Sequence, residues 1–75
     1  MTTQQFADAL KQAPFRPFTI RMADGRGFRV EHRDFVARSP TGRTVIVYTP
    51  DGSYSVLDLL LMTELEVEAD EPQAA

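Results

Sequence analysis

Three short segments, each closed by a glycine and set between strand-favouring residues, constrain this chain more than any other feature: Ala23-Asp24-Gly25, Pro40-Thr41-Gly42 and Pro50-Asp51-Gly52. Proline at the first loop position pre-sets φ, and Asp or Thr follows in a right-handed conformation. Glycine then takes the left-handed position that other residues enter only at a cost. The pattern predicts three-residue hairpin loops, each closed by a glycine bulge. Three such loops in 75 residues predict an antiparallel meander, and so a mainly β fold in one domain.

The residues between the turns supply the elements. Residues 2–12 predict a short helix, with Thr2 as cap, Gln5 as its capping-box partner and Phe6 and Leu10 on one stripe. Pro14 stops it by pushing Ala13 out of the α region. Phe18, Ile20 and Met22 alternate with Thr19 and Arg21 as a half-buried strand. The first loop then pairs Ile20 with Phe28 and Phe18 with Val30, which puts the apolar residues on one face. The polar run Glu31-His32-Arg33-Asp34 reads as a sharp bend inside one long strand that continues over 35–38.

The second loop is expected to pair Val36 with Ile46 and Phe35 with Val47. The third is expected to pair Tyr48 with Tyr54 and Ile46 with Val56. The run Thr44-Val45-Ile46-Val47-Tyr48 is apolar on both faces, which predicts a central strand covered on both sides. Asp58 can cap a single helical turn at 59–61. A last strand follows over 62–68, with Leu65 and Val67 on one face and Glu64, Glu66 and Glu68 on the other. The predicted domain therefore spans 1–68, and 69–75 is expected to be a disordered acidic tail.

This order of elements resembles the Sm-like variant of the SH3-like barrel: a short helix before about five strongly bent strands, the last closing on the first. Such closure would remove an open edge and lay Glu64 and Glu66 near Arg21. The stretches Pro14-Phe15-Arg16-Pro17-Phe18-Thr19-Ile20, Ala23-Asp24-Gly25-Arg26, His32-Arg33-Asp34-Phe35-Val36 and Ser39-Pro40-Thr41-Gly42-Arg43 carry a closer likeness. They resemble a family of small uncharacterised bacterial proteins, over residues 14–47. That resemblance implies a bacterial, cytoplasmic domain and no mechanism.

Charge is polarised along the chain. All eight basic residues lie between Lys11 and Thr49 with three acidic ones, and seven acidic residues follow from Pro50 onward with no base. Such asymmetry marks either a binding face or two ends that pair with each other. The N-terminus has no basic stretch before an apolar run, so it does not read as a signal peptide. The longest apolar run, Leu59 to Met62, is too short for a membrane span.

The chemistry of catalysis finds few residues to use. There is no Cys, one His and no glycine-rich phosphate loop. His32 with Asp34 offers two ligands, and a metal site needs three or four in fixed geometry. No catalytic, cofactor-binding or metal-binding residue is expected, and the chain is read as not an enzyme.

Two binding classes remain. Arg26, Arg29, Arg33, Arg38 and Arg43 fall on the bent strand and its flanking loops, where guanidinium groups could take RNA phosphates. Alternatively, a 75-residue chain has one interior, and the doubly apolar strand leaves a second face. That face makes a protein-interaction or assembly module, by self-association or with another protein, with Val45, Val47 and Leu57 as the candidate interface. The assembly reading is preferred and nucleic acid is the alternative.

Overall fold

The computed structural model describes residues 1–69. Its order is α1 (Thr3–Leu10), β1 (Phe18–Met22), β2 (Gly27–Val30), a 3-10 turn (Arg33–Phe35), β3 (Val36–Arg38), β4 (Thr44–Tyr48), β5 (Tyr54–Asp58), a second 3-10 turn (Leu59–Leu61) and β6 (Met62–Val67). Except for Ala69, the tail expected at 69–75 lies outside the described residues.

The glycine loops set the local structure. Gly25, Gly42 and Gly52 have φ of 95°, 80° and 96°. Their N–H groups donate to Met22, Ser39 and Thr49 carbonyls at 2.9, 2.8 and 3.0 Å. The first hairpin pairs Ile20 with Phe28 and Phe18 with Val30, and the third pairs Tyr48 with Tyr54 and Ile46 with Val56, as expected.

The second hairpin is displaced by one residue. Val36 pairs with Val47, Ala37 with Ile46 and Arg38 with Val45. The reason is a four-residue loop that includes Arg43. Thr44 N–H donates to the Ser39 hydroxyl at 3.1 Å, Arg43 N–H donates to the Thr41 hydroxyl at 3.3 Å, and Ser39 N–H returns to Thr44 O at 2.9 Å. Two side-chain acceptors thus take up N–H groups that a shorter loop would have paired differently. Because the side-chain period of a strand is two, the slip turns Val36 to the same face as Val47.

The strands form two three-stranded antiparallel sheets, ordered β2-β1-β6 and β3-β4-β5. β6 pairs with β1, setting Arg21 opposite Glu64 and Ile20 opposite Leu65. The fold is mainly β, and no ladder joins the two sheets to each other among the described residues. The expected long bent strand is two strands, because the 3-10 turn Arg33–Phe35 interrupts it. His32 caps it, its Nδ1 accepting from Asp34 N–H at 3.2 Å.

The core lies between the sheets. Phe18, Ile20, Met22, Val30 and Met62 come from the first, Val45, Val47 and Leu57 from the second, and Leu59 from the second 3-10 turn. α1 adds Phe6, fully buried and edge-on to Phe18 with ring centroids 6.0 Å apart. A helix of eight residues is not stable alone. Thr2 and Gln5 form the expected capping box at its N-terminus. Its two ends are anchored on different elements, Thr3 against Gly42 of the β3–β4 loop and the Leu10 carbonyl against Arg33. The helix therefore closes one end of the core instead of covering an outer sheet face.

Candidate functional site

The five arginines proposed as a phosphate-binding face are dispersed, and four of them are engaged. Arg26 reaches Asp24 at 2.8 Å and lies 5.3 Å over the Phe28 ring. Arg29, on the outer face of β2, pairs with Glu31 at 2.9 Å and with Glu68. Those carboxylates, Glu68 first, raise the Arg29 guanidinium above its usual range, and Arg29 in turn lowers Glu68. Arg43 grips Asp58 through two hydrogen bonds of 3.0 and 3.3 Å, which lowers the Asp58 carboxyl.

Arg33 does different work. Its Nε donates to Leu10 O at 2.8 Å, a second guanidinium nitrogen donates to Gln12 O, and the group stacks 5.3 Å over Phe15. Leu10 O is an orphan carbonyl of the last turn of α1 and Gln12 O lies just past the C-cap Lys11, a helix end that a cation satisfies well. Arg33 is a latch between the helix and the 3-10 turn. Sequence reading missed it because the two partners are 21 and 23 residues away. Arg38 has no acid partner among the described residues. It lines a shallow groove of about 480 Å³ between α1 and the β3–β4 loop, with Gln4, Ser39 and Thr41.

The structure corrects the apolar interface. Val45, Val47 and Leu57 are core residues, exposed by only 0, 3 and 4%. They meet the other sheet, so they present nothing to a partner. The solvent face of the second sheet is formed by the alternate residues. Ala37, Ile46 and Val56 align across the three strands, and Tyr48 and Tyr54 pair beyond them. Tyr54 and Val56 are 61 and 60% exposed, and the two tyrosine rings lie 5.6 Å apart at 50°. Leu60 and Leu61, also exposed, follow at the end of β5.

The outer face of the first sheet is its opposite in character. It carries Arg21 and Arg29 with Glu64 and Glu66, and Arg21 Nε donates to Glu66 at 2.9 Å. No group of three metal-ligating side chains occurs among the described residues. Among them, no helix is long and apolar enough to cross a membrane. No protein-family model matches the chain, and no curated protein or solved structure matches it either.

Proposed function

We propose that the protein is a small non-catalytic protein-interaction or assembly module of the bacterial cytosol, built on the Sm-like plan, and that its contact surface is the outer face of β3-β4-β5. One observation carries this reading: aliphatic and aromatic side chains that a monomer gains nothing by exposing are gathered on one sheet face, where Asp58, at the end of β5 and paired with Arg43, is the charge among that face's strand residues, against the rows of Arg and Glu on the other sheet. Tyrosine is well suited to such a contact, because it offers a large rigid area and a polar tip. The nucleic-acid alternative draws less support, since Arg26, Arg29 and Arg43 each hold a carboxylate and Arg33 holds the helix end.

The test is a photo-crosslinking side chain placed at Tyr54 in living bacteria, with Glu64 on the charged sheet as the control position. The expected result is one or a few defined protein adducts from position 54 and none from 64. Equal, diffuse labelling from both positions overturns the reading.

A further inference from the structure

Among the described residues, the two three-stranded sheets leave four strand edges without a ladder partner: β2 and β6 in the first, β3 and β5 in the second. An unpaired edge is a template for another chain, and proteins blunt such edges with charge, shortness or bends. β6 carries Glu64 and Glu66, and β2 carries Arg29 and runs into the 3-10 turn. β3 has three residues and ends at Arg38. β5 also runs into a 3-10 turn, but its one charge sits at its last residue. Its five residues, Tyr54-Ser55-Val56-Leu57-Asp58, include no proline and one charge, which Arg43 already holds.

The ladder fixes which main-chain groups face that edge. Leu59 N–H donates to Arg43 O at 2.8 Å and Thr49 N–H donates to Ser53 O at 2.9 Å. In an antiparallel pair the bonded pairs alternate, so Ser55 and Leu57 bond to β4. The N–H and C=O groups of Tyr54, Val56 and Asp58 therefore point outward.

We propose that β5 pairs antiparallel with β5 of a second copy of this chain, about a two-fold axis at Val56, joining the two second sheets into one six-stranded sheet. The proposal rests on the interaction-module reading and names its partner. Outward groups must meet outward groups, so the axis sets Val56 opposite Val56, and Tyr54 opposite Asp58 of the second copy. No like charges meet in this register. The exposed apolar faces run together across the seam, where Tyr54 and Val56 of both copies lose solvent. Pairing β6 with β6 would instead gather the carboxylates of Glu64 and Glu66 from both copies, which is unfavourable.

The experiment combines light-scattering mass with amide hydrogen exchange, from dilute to near-millimolar protein. The apparent mass is expected to double with concentration. Exchange at Tyr54, Val56 and Asp58 is expected to slow in step, while Ser55 and Leu57, already bonded to β4, serve as internal references. Val56→Lys sets two ammonium groups face to face on the axis and should abolish both effects. Val56 is not part of the core, so the variant should keep the wild-type circular dichroism. A mass that stays at one chain throughout overturns the proposal. So does a dimer in which the three outward amides remain unprotected, or one that Val56→Lys leaves intact. Either of those dimers, or adducts from position 54 to other proteins alone, leaves the interaction reading standing.

Discussion

Replacing Arg33 separates a structural latch from a ligand-binding arginine. The guanidinium spans the Leu10 and Gln12 carbonyls and stacks on Phe15, whose ring also lies 5.4 Å from His32 and 5.9 Å from Phe18. Removing it frees the C-terminal end of α1 from the 3-10 turn. A hydrogen bond from a charged donor contributes about 1.5–3 kcal/mol net, and an exposed cation–π contact about 0.5–1 kcal/mol. Both carbonyls lie at the surface, where water takes over part of the lost bonding. That replacement brings the net cost well below the sum of these contributions, so Arg33→Met should destabilise by about 1–2 kcal/mol.

That loss is large against a total of about 4–11 kcal/mol, the range that roughly 0.05–0.15 kcal/mol per residue implies for a chain of this size. It should lower the melting temperature by about 4–16 °C, since 1 kcal/mol shifts a domain of this size by about 4–8 °C. Urea unfolding followed by circular dichroism gives the magnitude, and hydrogen exchange shows where it acts. α1 amides should lose protection before those of β4. Arg33→Lys should recover less than half, because one ammonium cannot bridge two carbonyls as the planar fork does. An Arg33→Met midpoint equal to wild type, or full recovery with lysine, refutes the latch.

Two further outcomes follow from the turns and their carboxylates. Gly42→Ala should cost more than Gly25→Ala. Both need positive φ, worth about 1–2 kcal/mol to any residue with a Cβ, but a Cβ at Gly42 would lie 2.9 Å from the Thr3 methyl whereas Gly25 faces open space; equal urea midpoints would contradict this. Acidification should destabilise the fold. Thr49 and Ser53 hydrogen bonds hold the Asp51 carboxyl down at about 2, and Asp24, Asp58 and Glu68 are also lowered. The unfolded chain then binds more protons, so this stability is complete above about pH 5 and is lost as pH falls toward about 2. Asp51→Asn should flatten part of that slope, and a urea midpoint that stays level across the window would count against it.

The parts of the fold that sequence reveals are those decided locally. Gly25 and Gly52 close loops of three residues, so counting outward from them gives both registers. Gly42 looks the same, but the hydroxyls of Ser39 and Thr41 accept the next N–H groups and take Arg43 into the loop. A Ser-x-Thr pair before the glycine was the available sign. His32 shows a similar ambiguity: four polar residues read equally as a bend or as a capped turn until the cap forms. The candidate site was less legible for a different reason. Thr44-Val45-Ile46-Val47-Tyr48 is nearly as apolar on one face as on the other, so its periodicity does not identify the inner side. The packing of the first sheet decides it, by opposing Val45 and Val47 with Phe18, Ile20 and Val30.

The charge polarity of the chain has a structural consequence that joins the two surfaces. Arg21 and Arg29 from the basic stretch meet Glu66 and Glu68 from the acidic one, across the outer face of the first sheet. Exposed pairs of this kind add little to stability. Their stronger effect is on what the sheet refuses. A β6 shifted by one residue would turn its glutamates toward the core, and a second copy approaching β6 would meet its carboxylates. The charges thus fix register within the chain and guard one sheet against association. β5 receives no such guard, because its single carboxylate is spent on Arg43 at the strand's last residue. The same distribution of charge that explains how the last strand finds the first also leaves β5 as the edge most open to a partner.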